Sequence, residues 1–224
     1  MPLESGNAPT GVDVWLGNTQ AGASGCGDHL AARGCGDQLA VRAAAAMLGV
    51  PGSRLGVIHE PAGRPRLTGD AEGIHLSVSH SRGVVAVAVT ALGPVGVDLE
   101  LVRSVTALAV ARRWFGDSEV AWLAGQPAGQ QGEAFLGLWT QKEAIAKALG
   151  TGLRGGAGLR QRVALSLPPS GPDRMVLAVV PGAPGLMASV ARVSGDAILA
   201  VACLSRAAAG APVTVRQAGQ RPGS

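Results

Sequence analysis

Two stretches decide the architecture that we expect for this chain: VGVDLEL at residues 95–101 and WTQKEAIAK at residues 139–147. The first is typical of a β-strand, in which Asp98 and Glu100 point to the same face. The second is typical of a helix, in which Glu143 and Lys147 share one face because they lie four residues apart. If the strand and the helix converge, three carboxylates meet beside the lysines of the helix. Such a cluster can bind Mg²⁺ together with a phosphate ester.

Simpler interpretations of the same residues stay open at this point. Asp98 and Glu100 can face solvent from an edge strand. Glu143 and Lys147 can form an exposed ion pair worth about 0.3 kcal/mol. A charged side chain that faces inward from an apolar strand, in contrast, needs a partner or a metal ion.

The remaining pattern predicts an α+β fold. We expect further strands at 12–16, 55–60, 74–79, 84–90, 163–167, 176–180, 187–193 and 198–204. We expect helices at 37–48, 105–115, 118–123 and 134–149. Residues 61–73 are predicted to form a loop, and residues 207–224 a disordered tail, because they are rich in small and polar residues.

A faint internal repeat suggests two similar α+β halves. The segment VAVAV at residues 85–89 resembles LAVAC at residues 199–203, and each closes a block of a helix followed by strands. We therefore divide the chain into halves at 1–94 and 95–206, which would form an intramolecular pseudodimer with a ligand cleft at their junction. A chance likeness between two strands rich in Ala and Val is the alternative.

Composition favours an anionic ligand or an acidic partner. The 224 residues are 47% hydrophobic and 15% charged, with a net charge of +4. Nucleic acid is not expected, because the chain has no run of Lys and Arg and only 3% aromatic residues, without any Tyr. A steep dependence of nucleic-acid binding on salt would contradict this expectation.

No secretory leader or membrane-spanning segment is predicted, so we expect a cytoplasmic protein. Cys26 and Cys35 lie in repeated Gly-Cys-Gly-Asp tetrapeptides, with His29 between them. A zinc site would need a fourth ligand at a recognisable spacing, and chance repetition in a glycine-rich loop is the favoured interpretation. We therefore assign no metal to these cysteines.

The segment SVSHS at residues 77–81 is a second candidate site. Hydroxyls, an imidazole and turn amides at a hairpin suit an oxyanion such as phosphate. Arg64, on the preceding loop, can add charge-assisted hydrogen bonds. A hydrolase with a Ser-His-Asp triad is disfavoured, because no Gly-x-Ser-x-Gly motif is present. A structural turn histidine is the other interpretation of His80.

Five short motifs now occur in order: GRP at 63–65, LSVSHS at 76–81, VDLE at 97–100, WFGDSE at 114–119 and WTQKEAIAK at 139–147. In this order and spacing they resemble the 4′-phosphopantetheinyl transferases of the surfactin-synthetase-activating (Sfp) type, over about residues 28–206. The length and the two halves resemble that family as well.

The resemblance implies an activity. A member transfers 4′-phosphopantetheine from coenzyme A to a serine of an acyl or peptidyl carrier protein, depends on Mg²⁺ (or Mn²⁺), and releases 3′,5′-ADP. The carrier can serve fatty-acid, polyketide or non-ribosomal peptide biosynthesis. A monomer is expected from the two-half build. The alternative is a non-catalytic protein that binds coenzyme A or a nucleotide.

The resemblance also implies roles for residues. Asp98, Glu100 and Glu143 would hold the metal, and Glu143 and Lys147 would be catalytic, as base and as counter-charge to the diphosphate. The residues implied for coenzyme A binding are Arg33, Arg64, Ser79, His80, Lys142 and Lys147. Arg64 stands where lysine is commoner, which keeps the charge and adds a planar fork of donors.

Overall fold

The computed structural model describes residues 10–18, 29–151, 161–193 and 196–218. The strands in these ranges are β1 (Val12–Asn18), β2 (Leu55–His59), β3 (Pro65–Gly69), β4 (His75–Ser81), β5 (Val84–Thr90), β6 (Val95–Leu101), β7 (Ala178–Val179), β8 (Leu186–Val193), β9 (Ala197–Leu204) and β10 (Val213–Gln217). The α-helices are α1 (His29–Leu48), α2 (Ala107–Trp114), α3 (Asp117–Ala124) and α4 (Gln131–Ala148). The predicted α+β class is confirmed.

Two four-stranded sheets form the body of the fold. The first has the order β10-β1-β5-β4 and the second the order β6-β9-β8-β7, while β2 and β3 form a separate hairpin. Helix α1 packs on the first sheet and helix α4 on the second. The repeated segments of the sequence lie in β5 and β9, which are both interior strands. The predicted pseudodimer relation between the halves stays a prediction.

The two sheets meet where β4 lies beside β6. The hydroxyl of Ser77 accepts a hydrogen bond from the backbone N–H of Val97 at 3.0 Å, and the hydroxyl of Ser79 accepts one from Leu99 at 3.3 Å. Serine side chains thus satisfy N–H groups on the open edge of β6, which would otherwise be buried without a partner. This junction places the residues of β4 beside those of β6.

Strand β6 has two differently packed faces. Val95, Val97 and Leu99 are buried in a core that also contains Val14 and Ala88 of the first sheet. The other face is covered by α4. A methyl group on Gly96 would overlap the carbonyl oxygen of Ala144, so only glycine allows the backbones of β6 and α4 to approach this closely.

Three expectations for secondary structure were wrong. Residues 163–167 form no strand, because Pro168 and Pro169 follow at once, and Leu165 and Leu167 are exposed. The loop expected at 61–73 contains β3, which tolerates Pro65 because it is the first residue of the strand.

The tail expected to be disordered is the third correction. Residues 213–217 form β10, which pairs in parallel with β1 between Val12↔Val213 and Leu16↔Gln217. Val213 and Val215 alternate along the strand and pack toward the core. Their alternation is too short to predict a strand in a segment rich in small residues. The chain therefore returns from the second half to complete the sheet of the first. None of the helices described is long and apolar enough to cross a membrane.

Candidate functional site

The site begins at the contact between β6 and α4. Gly96, Asp98 and Glu100 alternate along β6 and so share the face that α4 covers. Glu143 and Lys147 lie on α4, one turn apart. Because Gly96 brings the two backbones together, the carboxylates of the strand and the polar side chains of the helix become neighbours.

Asp98 is held through one of its two oxygens. Its Oδ1 accepts hydrogen bonds from Ser79 Oγ at 2.8 Å and from Lys147 Nζ at 2.8 Å. Lys147 Nζ also donates to the carbonyl oxygen of Val97 at 2.8 Å. The other oxygen, Oδ2, is buried without a hydrogen-bond partner, and the residue is only 7% exposed. A buried carboxylate oxygen in this state is free to bind a cation.

Glu100 repeats this arrangement one step along the strand. Its Oε2 accepts hydrogen bonds from Arg103 Nη1 at 2.6 Å and from Ser81 Oγ at 3.4 Å. Among the described residues, Oε2 accepts both of these hydrogen bonds. Each carboxylate of β6 is therefore bound by a serine of β4 and by a basic side chain from its own half.

Glu143 is half-buried and has a perturbed pKa. Burial, followed by the negative charge of Asp98, raises the pKa of Glu143 to about 7, although Lys147 opposes the shift. Glu100 adds a smaller effect in the same upward direction. A carboxyl with a pKa near neutrality can accept a proton and release it again at physiological pH.

The carboxylates are not assembled as a metal cage. Within the described ranges, no group of three or more His, Cys, Asp or Glu side chains is arranged to hold a metal ion. Two of the carboxylates are instead ion-paired, Asp98 with Lys147 and Glu100 with Arg103. The donor set nonetheless suits Mg²⁺, which prefers one or two carboxylates together with water and phosphate oxygens.

A cleft of about 680 Å³ opens beside Lys147, between the first half and the end of α4. Arg64 and Ser77 line it from the first half, and Gly150 and Thr151 line it from the second. The side chain of Arg64 extends across the cleft to the second half. Its Nη1 lies so close to Gly150 that a methyl group on that residue would be 2.9 Å from it. Arg64 and Lys147 thus bring two positive charges to one cleft.

Arg64 also borders a second cleft of about 490 Å³, together with Arg66 and His75. Burial lowers the pKa of His75, and the positive charges of Arg64 and Arg66 lower it further. Two guanidinium groups therefore act on one side chain in this region. Such a region favours an anion.

Two of the remaining predicted residues lie away from the carboxylates. His80 is exposed on the opposite face of β4, and its ring packs against Gly36 of α1, where a methyl group would lie 3.0 Å from Nε2. Arg33 is exposed on α1. Ser79, Asp98, Glu143 and Lys147 are brought together, with Glu100 beside them.

Lys142 has a different set of partners. It is fully buried, with Nζ 2.8 Å from Glu119 Oε1, 2.6 Å from the carbonyl oxygen of Gln161 and 5.2 Å from the centre of the Phe115 ring. Glu119 Oε2 in turn accepts a hydrogen bond from the N–H of Gly116 at the start of α3. A direct contact of Lys142 with a ligand would require this ion pair to open, so the predicted coenzyme contact stays a prediction.

Sequence reasoning missed two residues that bind the carboxylates. Arg103 was given no role, and Ser81 was quoted only as part of a motif. A signal for Ser81 was available, because serines alternate along β4 with the same two-residue period as Asp98 and Glu100 along β6.

The structure describes two of the three cysteines. Cys26 lies outside the described residues, and Cys35 is half-buried on α1. Burial raises the pKa of Cys203, in the interior strand β9, to about 11. A thiol with so high a pKa is a poor nucleophile at neutral pH.

These features define an α+β protein with a cluster of carboxylates and a lysine at the junction of two sheets. Residues 94–190 match the family model described as the 4′-phosphopantetheinyl transferase superfamily. The matched segment contains β6 and α4, and thus every carboxylate of the cluster. Over these residues the chain is similar to that superfamily, and the match agrees with the resemblance to 4′-phosphopantetheinyl transferases drawn from the sequence.

Three curated relatives carry the same description. The 4′-phosphopantetheinyl transferase gsp of Aneurinibacillus migulanus is 35% identical over 80 residues, which cover 36% of this chain and 33% of the relative. The transferase psf-1 of Bacillus pumilus is 40% identical over 79 residues, covering 35% of this chain and 33% of the relative. HetI of Nostoc sp. is 31% identical over 132 residues, covering 57% of this chain and 54% of the relative. The chain thus spans a third to about half of their length.

Proposed function

We propose that this protein transfers the 4′-phosphopantetheine group from coenzyme A to a serine of an acyl or peptidyl carrier protein, as an Mg²⁺-dependent enzyme of the Sfp type. One observation carries the proposal. The buried, unpartnered Oδ2 of Asp98 lies in a cluster with Glu143 and Lys147, and Lys147 also lines a cleft with Arg64. The residues that we propose as cation ligands, base and phosphate-binding groups are therefore neighbours, which supports the proposal.

Asp98, Glu100 and Glu143 would hold the metal ion. The free Oδ2 of Asp98 supports this assignment, because a buried acceptor without a donor is otherwise unfavourable. When bound, Mg²⁺ offsets the charge of the diphosphate and polarises the phosphorus that is attacked. Mn²⁺ has similar ligand preferences and could substitute.

Lys147 would bind the diphosphate. Its Nζ is already at the mouth of the cleft, on Asp98 Oδ1 and the Val97 carbonyl oxygen. An ammonium has three donors and can keep one of these contacts while it binds a phosphate oxygen. Arg64 and His80 would hold the 3′-phosphate and adenosine end, with Arg33 on the same helix as the Gly36 that His80 contacts. A role for Ser79 at that end would require its hydroxyl to leave Asp98 Oδ1.

Glu143 would act as the base. Its pKa of about 7 applies to the metal-free protein, and a bound cation would lower it and keep the carboxylate ionised. The ionised Glu143 would take the proton from the serine hydroxyl, directly or through a water. The serine oxygen then forms the new bond to the phosphorus that bears the pantetheine, and the bond to 3′,5′-ADP breaks. No covalent intermediate on the enzyme is needed.

The carrier protein would dock through complementary charge. Carrier proteins are generally acidic, and the net charge of +4 on this chain favours their approach. Fatty-acid, polyketide and non-ribosomal peptide carriers all fit this description. The protein would work in the cytoplasm as a monomer.

A mass-spectrometric transfer assay tests the proposal. Apo carrier proteins of the three classes are incubated with the enzyme, coenzyme A and Mg²⁺, and we expect at least one to gain the mass of the prosthetic group. Glu143→Gln is expected to abolish transfer and retain the fold, as judged by circular dichroism. Exposed Asp173→Asn, which lines neither of the two clefts, is the matched control and is expected to keep full activity.

Two results would contradict the proposal. Transfer to no carrier of a broad panel, combined with measurable binding of coenzyme A, would favour the alternative of a non-catalytic coenzyme A or nucleotide-binding protein. Activity of Glu143→Gln equal to that of the wild type would remove Glu143 from the mechanism.

A further inference from the structure

The contacts of β4 with β6 form a ladder with two similar rungs, of which the second has the longer serine contact, 3.4 Å against 2.8 Å. In the first rung, Ser79 and Lys147 bind Oδ1 of Asp98. In the second, Ser81 and Arg103 bind Oε2 of Glu100. Serines two residues apart thus meet carboxylates two residues apart, and each carboxylate also receives one basic side chain.

The consequence is the same on both rungs. One oxygen of each carboxylate is fixed by two donors, and the rotation of that carboxylate is restricted. The other oxygen of Asp98 is left buried and without a partner. On Glu100, Ser81 and Arg103 both donate to Oε2, and neither of them donates to Oε1.

We propose that Arg103 is a positioning residue for divalent-cation binding: with Ser81 it holds Oε2 of Glu100, so that Oε1 is presented to the cation beside Oδ2 of Asp98. This inference rests on the proposed function, because it assumes that the two carboxylates share a cation. It gives a role to a residue that none of the five sequence motifs contains.

The geometry of Arg103 supports this role over that of a surface ion pair. Its contact with Glu100 is 2.6 Å long, and the side chains are only 34% and 20% exposed. The same Nη1 also lies 3.4 Å from the carbonyl oxygen of Leu101, the last residue of β6. The guanidinium therefore fixes the carboxylate relative to the strand that carries it. Groups that orient a metal ligand in this way commonly change metal affinity by about 10- to 100-fold when removed.

The charge of Arg103 alone predicts the opposite change in cation affinity, so the two explanations can be distinguished by experiment. If Arg103 only repels a cation, Arg103→Gln should bind Mn²⁺ more tightly than the wild type, because a positive charge has been removed. If Arg103 positions Glu100, the same variant should bind Mn²⁺ more weakly, by about tenfold. The direction of the change separates the two cases.

The experiment measures Mn²⁺ binding to the full-length protein by electron paramagnetic resonance of the free ion, without any turnover. We expect weaker binding by Arg103→Gln and by Ser81→Ala, and recovery of most of the affinity in Arg103→Lys, which keeps one charged donor. The matched control is Arg192→Gln. Arg192 is also 34% exposed and is bound to Glu133 and Asp196. Ile198 pairs with both Arg192 and Glu100, so Arg192→Gln removes one positive charge two strands from Glu100 without removing a contact to that carboxylate.

A second readout is the dependence of transfer on Mg²⁺. Positioning predicts that Arg103→Gln needs more Mg²⁺ for half-maximal rate and approaches the wild-type rate at saturation. Unchanged or tighter Mn²⁺ binding by a folded Arg103→Gln, or an equal loss in Arg192→Gln, would overturn the inference. No Mn²⁺ binding by the wild type would instead overturn the proposed metal site itself.

Discussion

The side chain of Ser77 bonds to the backbone of Val97 across the junction of the two sheets, with Oγ 3.0 Å from the amide nitrogen. Both groups are buried. Ser77→Ala would leave the Val97 N–H buried without an acceptor, and such a group costs roughly 1–3 kcal/mol. We expect the free energy of unfolding to fall by that amount in urea denaturation. Exposed Ser53→Ala should change it by less than about 0.5 kcal/mol, and equal effects of the two changes would contradict the role of Ser77.

Gly96 makes a second prediction, about the contact between β6 and α4. A methyl group there would overlap the Ala144 carbonyl oxygen and lie 2.6 Å from the amide nitrogen of Ala148. Because both obstacles are backbone atoms, Gly96→Ala should separate the strand from the helix and lower the free energy of unfolding by at least about 1–3 kcal/mol.

The matched control is Gly34→Ala on α1. This glycine is exposed, and a methyl group on it would meet nothing within 4 Å. We expect a gain of roughly 0.5–1 kcal/mol, because alanine is the better helix former. Thermal unfolding of both variants measures the difference in stability. No change in stability for Gly96→Ala would show that α4 does not pack against this residue.

Such close contacts between distant segments could not be predicted from the sequence. The two-residue period around Asp98 and the helical spacing around Glu143 predicted both elements, and the order of the motifs predicted the family. Gly96 and Ser77, however, matter because of their contacts with residues that are distant in the sequence. No local sequence pattern predicts that a glycine packs against a helix or that a serine hydroxyl bonds to another strand. Arg103 looked like any charged residue after a strand for the same reason.

Strand β10 was missed for a related physical reason. Its five residues gain stability from distant segments: from pairing with β1, about two hundred positions earlier in the chain, and from the core that Val213 and Val215 enter. Alone they resemble a flexible tail rich in small residues. Tertiary contacts override local composition in such cases.

The raised pKa of Glu143 predicts a dependence of stability on pH. Its carboxyl has an ordinary pKa of 4.5 when unfolded and about 7 when folded. Between these values the folded state holds more protons than the unfolded state, so the free energy of unfolding falls as pH rises. The stabilisation is complete below about pH 4.5 and lost above about pH 7.

Urea denaturation of the metal-free protein at pH 5 and pH 8 measures this effect. Glu143→Gln cannot ionise, so it should lose less stability across the interval than the wild type, by roughly 1–2 kcal/mol once the partial exposure of the carboxyl is allowed for. Parallel losses in the two proteins would show that Glu143 does not titrate in this range.

The buried pair between Lys142 and Glu119 gives the last prediction. Burial lowers the pKa of Lys142, and Glu119 opposes that shift, so the ammonium depends on this carboxylate to stay charged. Lys142→Met would leave Glu119 buried without its cation and should cost about 3–5 kcal/mol. Adding Glu119→Gln should recover part of the loss, because no buried charge then remains. Arg66→Gln, which breaks an exposed pair with Glu60, should cost less than about 1 kcal/mol.

The same variants test whether Lys142 contacts coenzyme A. If the lysine anchors α4 to α3, the double variant should recover part of the lost stability and keep the KM for coenzyme A. Any decrease in activity should then be a decrease in kcat, because the helix that carries Glu143 and Lys147 shifts. If the ammonium leaves Glu119 to bind the ligand, KM should rise in both Lys142→Met and the double variant. Strictly additive losses of stability in the cycle would show that the 2.8 Å pair does not couple the two side chains.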